Sequence, residues 1–202
     1  MTRAAPMPPQ ERRAAIIAAT KPLLVAEGAR FTTRQVAEAA GIAEGTIFRV
    51  FASKQELLHA VVASVLDPTD LCAALDAIDR NRSLEELAVD VLSAIQRAVG
   101  ETSAIFSALH SMPADDVVIE PKKHVEHGHA SQTERTQMVA DAIVRVLSAH
   151  ADELAVEPLD AASLLRSTAM ASFHPFLSDG RLGDPVLLGH ILIHGIAKDK
   201  TC

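Results

Sequence analysis

Residues 31–58 read FTTRQVAEAAGIAEGTIFRVFASKQELL, and the fold is decided there. Thr32-Thr33 opens a helix that runs to Ala40. A second covers Ala43–Phe51, and a third opens at Ser53, with Glu56 three residues on completing a capping box. Two short helices that cross steeply around a tight turn need a small residue where one passes over the other, and Ala37 supplies it. The turn needs a residue that accepts positive φ, and Gly41 stands four positions later. Val36, Ala40, Ile42, Ile47 and Val50 fall where apolar side chains must bind both helices to the rest of a domain. Together these features describe a helix-turn-helix.

Working outward, a helix is expected from Pro8-Pro9 to Glu27, with Ile16, Ile17, Thr20, Leu24 and Val25 at helical spacing and Gly28 as its C-cap. Pro22 removes a backbone donor inside it and predicts a kink or a split. After Leu66, Asp67-Pro68 marks a boundary. Beyond it the spacing predicts helices over 69–79, 83–99 (from a Ser83/Glu86 capping box), a shorter one to His110, then 131–151, 160–177 and, with Pro185 at its first position and Lys198 near its end, 185–197. Ser111–Gly128, with Pro113 and Pro121, is the least regular stretch. No alternating β-branched run or Asn-Gly hairpin interrupts the pattern. The expected fold is all-α: a three-helix helix-turn-helix head over residues 1–66 and a helical body, for ligand binding and dimerisation, over 67–202.

The chain has 202 residues, 49% of them hydrophobic, which is ample for a packed core. Ala60–Leu66 and Val186–Ile196 are its longest apolar runs, and both fall short of the roughly 20 residues a bilayer span requires. Arg3, Glu11, Arg12 and Arg13 leave no apolar core for a signal peptide, so a cytoplasmic location is expected and no membrane partner. Charge is unevenly shared. Residues 1–60 hold eight of the 19 Lys/Arg and five of the 26 Asp/Glu, a balance of +3; residues 61–202 hold the other 11 and 21, a balance of −10. A basic head on an acidic body directs the head towards phosphate.

The stretch from Phe31 to Leu58 is similar to the signature of the TetR family of transcriptional regulators. It shares the Thr-Thr opening, the Val-Ala-x-x-Ala-Gly-Ile turn, the Gly-Thr-Ile that begins the reading helix, and the Phe-x-Ser-Lys-x-x-Leu-Leu entering the fourth helix. The resemblance covers about the first third of the chain; the body is similar only in length, helical pattern and the form of its last two helices. It implies that Thr32 and Thr33 hold a backbone phosphate, that Arg34 reaches a base edge or phosphate, and that Glu44, Gly45, Thr46, Phe48 and Arg49 face the major groove. Lys54 would clamp phosphate. Two positions depart from the family, which usually has tyrosine at Phe48 and often histidine at Val50. Phe48 can touch a thymine methyl and Val50 can only pack, so fewer phosphate contacts and weaker binding are expected, or else compensation from Arg3, Arg12 and Arg13.

The same resemblance implies a homodimer that reads a palindromic operator in double-stranded DNA, probed through two half-sites. Leu164, Leu165, Ala169, Phe173, Leu187, Leu188, Ile191 and Leu192 would form the dimer interface, with an internal core as the alternative. It also implies an apolar cavity in the body where a small-molecule effector releases the repressor from DNA. Candidate lining residues are Phe106, Leu109, His110, Met112, Met138, Met170 and His174, each of which reads equally as plain core. Two features support an alternative, a metal or redox sensor on the same fold. His124, His127 and His129 stand close together but without a neighbouring cysteine; Cys72, among Leu71, Ala73 and Ala74, reads first as a small buried hydrophobe. Cys202 is the last residue, and the two cysteines form no disulfide framework. No nucleophile elbow, phosphate loop or paired-histidine metalloprotease motif is present, so no enzyme, catalytic residue, resident metal or cofactor is expected.

Overall fold

Thr32 shows how several of the helices start. Its hydroxyl accepts from the Gln35 backbone N–H at 3.2 Å, while the Gln35 side chain accepts from the Thr32 N–H at 2.7 Å. Two amide groups that the helix itself cannot pair are thereby satisfied, an arrangement worth about 1 kcal/mol. Ser83 with Glu86 and Ser131 with Glu134 repeat it. At Ser53 the hydroxyl accepts from Glu56, whose carboxylate reaches back one residue further to the Ala52 N–H.

The computed structural model describes residues 7–111, 131–172 and 180–195. Arg3, Met112, His124, His127, His129, Phe173, His174, Lys198 and Cys202 lie outside them. Nine α-helices occur among the described residues: α1 (Pro9–Glu27), α2 (Thr33–Ala39), α3 (Glu44–Val50), α4 (Lys54–Leu66), α5 (Thr69–Asp76), α6 (Leu84–His110), α7 (Gln132–Leu147), α8 (Pro158–Ala171) and α9 (Pro185–His194). Short 3-10 turns stand at Gly28–Arg30, Ser148–Glu153 and Arg181–Gly183. The fold is all-α.

Several boundaries differ from the sequence expectation. Gly100 does not divide α6, which runs unbroken for 27 residues. A mid-helix glycine costs about 1 kcal/mol, less than the burial of Leu92 and Ile95 before it and Ile105 and Leu109 after it contributes. Pro22 does not split α1 either. It is exposed, as is Ala18, the residue whose carbonyl its missing N–H leaves unpaired, so water can serve that oxygen. The helix after Ser131 ends at Leu147 in a 3-10 turn, and α9 stops at His194 because Gly195 turns the chain at φ 79°. Lys54–Asp76 has the length and mean hydropathy (23 residues, 1.3) of a membrane-crossing helix, contrary to the expectation that no run was long enough. The chain breaks that stretch at Asp67-Pro68, where the Asp67 carboxylate accepts from the Thr69 N–H and hydroxyl.

The chain forms two compact units. Over the described residues the first, or head, holds 7–66 and 101–111, and the second, or body, holds 67–100, 131–172 and 180–195. The division differs from a simple cut after residue 66, since the last part of α6 belongs with the head. The head's core gathers Ile16, Leu24, Phe31, Val36, Ile47, Phe51, Leu57 and Val61, joined by Ile105 and Leu109. The body's core is built from Leu87, Val91, Leu92 and Ile95 of α6, Ile143 and Val146 of α7, Ala162 and Leu165 of α8, and Leu188 of α9.

Candidate nucleic-acid interface

α2 and α3 meet as the crossing requires. Ala37 is buried at the contact, Gly41 takes φ 65°, and the Ile42 N–H returns to the Ala37 carbonyl at 3.0 Å to close the turn. A β-carbon at Gly41 would meet nothing nearby, so glycine is required there for its backbone alone. Ile47 is the one buried residue of the seven in α3 and anchors it to the head's core. The remaining surface of α3 is then free to carry other chemistry.

That surface holds Glu44, Gly45, Phe48 and Arg49, all exposed, with Thr46 half-buried. Phe48 is 55% exposed, an unusual position for a large aromatic ring on a helix otherwise so polar. Arg49 has no hydrogen-bond or ion-pair partner among the described residues. A β-carbon at Gly45 would meet nothing within 4 Å, so the helix backbone itself is open to close approach there. Arg49 and Arg12, from the first turns of α1, both line an open hollow of about 440 Å3 together with Met7, Gly41, Ile42, Ala43 and Thr46. Two guanidinium groups on one concave surface, one of them on the exposed helix, suit a phosphodiester chain.

Other expected contact residues have intramolecular partners. The Thr33 hydroxyl donates to Glu44 Oε1 at 2.7 Å, which links the start of α2 to the start of α3 and orients the carboxylate. The Thr32 hydroxyl is engaged with Gln35 in the cap. Arg34 pairs with Glu38 one turn along, at 3.0 Å, well out in solvent. Lys54 donates to the Phe31 carbonyl at 2.8 Å, and its ammonium lies 4.1 Å from the centre of the Phe31 ring. It therefore ties α4 to the entry of α2, a structural duty the sequence did not announce. Arg13 sits over the Phe51 ring at 4.4 Å, and Gln35 also donates to both oxygens of Glu27. Val50, as expected, packs against the head's core.

The residues expected to line an effector cavity fall in both units, Phe106, Leu109 and His110 in the head and Met138 and Met170 in the body. Leu109 is buried in the head's core, and Phe106 is half-buried one turn before it. His110 is exposed and bound through Nδ1 to the Phe106 carbonyl. Met138 and Met170, of the body, are 41% and 49% exposed. Leu109 serves as plain core, the alternative reading for each of these residues. In the expected dimer set, Leu165, Ala169 and Leu188 belong to the body's own core, with Leu192 packed against it. Burial pushes the Cys72 thiol above its ordinary range, with nearby Arg145 opposing; a thiol so placed is less of a thiolate and less reactive.

Comparison with known proteins agrees with this geometry. Residues 16–61 match the sequence profile of the bacterial regulatory proteins of the tetR family. No curated protein matches the chain. Among solved structures, the chain is similar to a TetR transcriptional regulator from Streptomyces coelicolor, at a TM-score of 0.57 and 18% identity over 93% of this chain and 99% of that one. A second tetR-family regulator from the same organism gives 0.51 and 22% over 93% and 79%. GusR of Salmonella enterica gives 0.51 and 17% over 94% and 97%. Residues 16–61 thus carry a segment that matches the tetR family, and the chain shares the fold of these solved proteins along nearly its whole length.

Proposed function

We propose that the chain is a homodimeric repressor that reads a palindromic operator with α3 and is released by a small apolar or amphipathic effector. The observation that carries the DNA-reading part is the state of α3. A helix fixed by one buried residue offers an arginine without a partner among the described residues, an exposed phenylalanine and a bare glycine backbone, beside a second arginine from α1. In a major groove Arg49 can take guanine through two hydrogen bonds, and Phe48 can lie against a thymine methyl. Glu44, held by Thr33, and Thr46 complete the contact surface, with Thr32, Thr33, Arg34 and Lys54 flanking it.

The dimer is supported by the apolar surface of α8 and α9. Leu164 and Met170 on α8 and Val186 and Leu187 on α9 are exposed although the body already has a complete core. A helix apolar on all sides needs cover on all sides. Two copies would set the spacing of two half-sites. Release by an effector rests on likeness to the family alone, as does action in the cytoplasm without catalysis.

The test is binding of the purified chain to double-stranded fragments from around its own gene, followed by fluorescence anisotropy at several salt concentrations. Wild type is expected to select one fragment, with affinity falling as salt rises. Arg49→Ala should weaken that binding by about 1–3 kcal/mol, roughly 5- to 150-fold, while leaving non-specific binding nearly unchanged. A folded wild-type chain with no preference among fragments at low salt would remove the proposal.

A further inference from the structure

The body contains a chemical grouping that DNA recognition does not use. Gly189 is buried where α9 crosses α6: a β-carbon on it would stand 2.7 Å from Val89 Cγ2. The absent side chain lets the two helices approach closely at that point. One turn before Val89 on α6 is Glu85; immediately after Gly189 on α9 is His190, with His194 one further turn along. The close crossing therefore sets one carboxylate under two imidazoles. Glu85 Oε1 is 3.1 Å from His190 Nδ1, and Glu85 Oε2 is 3.0 Å from His194 Nε2. The two rings are 4.7 Å apart, and one ligand atom from each of the three residues falls within 4.8 Å of the others.

We propose that Glu85, His190 and His194 form a binding site for a late first-row divalent cation of the zinc type. Histidines at i and i+4 of a helix lie on one face, and this spacing is a recurrent two-ligand platform for zinc. A tetrahedral zinc with bonds of roughly 2.0–2.2 Å holds its ligand atoms about 3.3–3.5 Å apart. The two carboxylate–imidazole separations are already close to that, and rotation of exposed rings closes the third. Imidazole nitrogen selects zinc, copper, nickel or cobalt, whereas magnesium and calcium require more oxygen ligands than this site offers. One carboxylate and two neutral imidazoles leave part of the cation's charge and one coordination position open, for water or a fourth ligand. Between the histidines stand Ile191, Leu192 and Ile193, which provide no general base, so the site is suited to holding a metal and not to hydrolysis. A bound cation would cross-link the last turn of α9 to the first turn of α6. The three side chains remain open to solvent, which gives the ion an entry path and gives the site no enclosing shell.

The test is a titration of the full-length chain, free of any affinity tag, with zinc against a chromophoric chelator, and with cobalt read by its visible absorption. One zinc per chain is expected to bind, with magnesium unable to displace it, and cobalt should show tetrahedral-type bands. Glu85→Gln, His190→Ala and His194→Ala should each weaken binding at least about tenfold. A triple variant, His124→Ala with His127→Ala and His129→Ala, should bind as wild type does. In the unsubstituted chain, zinc should shield His190 and His194 from an imidazole-acylating reagent, read by peptide mass spectrometry. The proposal is overturned if zinc is not bound at micromolar concentration. It is equally overturned if the His190→Ala/His194→Ala chain keeps wild-type affinity, or if only the triple variant loses it. These readouts involve no DNA, so their outcome is separate from that of the operator experiment.

Discussion

α3 and α9 are both short helices that leave large apolar side chains in solvent, but in opposite company. On α3, Phe48 stands beside Arg49, Glu44 and the bare backbone of Gly45. On α9, Val186 and Leu187 (59% and 44% exposed) continue a helix that is apolar almost all round, with only His190 and His194 as polar exceptions before its end. The difference teaches what each surface can face. An aromatic ring among cationic and hydrogen-bonding groups matches a groove of base edges and phosphates, where each apolar contact is local. A run of aliphatic side chains without hydrogen-bonding neighbours matches another apolar surface and little else.

The strongest way to break this contrast is at α9. Val186→Glu with Leu187→Glu places two charges on the exposed aliphatic strip and touches no residue of the body's core. The double variant is expected to keep its helix content and to sediment as a monomer. Operator affinity should then fall on the order of a thousandfold, towards non-specific binding, because one head reads only one half-site. If sedimentation shows wild type itself to be a monomer, or the charged variant still a dimer, the aliphatic strip is not the interface and the distinction between the two helices loses its meaning.

A gentler change sharpens the other side. Phe48→Tyr adds one hydroxyl at the edge of an exposed ring. Near phosphate it can donate one hydrogen bond, worth about 0.5–1.5 kcal/mol, so operator affinity should rise roughly two- to tenfold. The thermal midpoint should be almost unchanged, as expected of a surface substitution. Unaltered affinity in a folded variant would place the Phe48 edge away from the DNA backbone and would limit the ring to base contact.

How much of this could be read beforehand follows from the range of each interaction along the chain. The helix-turn-helix was legible because its determinants are local: the Thr32–Gln35 cap, the small Ala37, the positive φ of Gly41 and the buried Ile47 lie within 16 positions of one another. The all-helical body was legible from apolar spacing and caps. Pairings distant in sequence were not. Nothing in the pattern ties Lys54 to the carbonyl of Phe31, 23 residues away, or Glu85 to histidines 105 and 109 residues away. Thr33 and Glu44 were both singled out as contact residues, yet their bond to each other depends on the crossing angle, which spacing does not give. Gly100 follows the same rule: its helix penalty is local and legible, whereas the burial on both sides that outweighs it depends on contacts distant in sequence.

The smallest expected effect concerns how the body holds its charge, which again sets it apart from α3, where Arg49 is exposed and has no partner among the described residues. In the body Arg145 of α7 reaches Asp76 of α5 through two hydrogen bonds, at 3.0 and 2.8 Å. Those bonds hold the Asp76 carboxyl below its ordinary range, against a partial cost of burial. A carboxyl depressed on folding contributes stability that is present above its ordinary range, near 3.8, and is lost as pH falls through its lower, folded value. Arg145→Gln is therefore expected to lower the denaturation midpoint slightly at neutral pH and to converge with wild type in strong acid. Added salt should narrow the gap, since both groups are in solvent. Urea titrations from neutral to strongly acidic pH would measure it. A difference that stays constant with pH would mean that Arg145 acts through its packing on α5, by its aliphatic stem and not its charge.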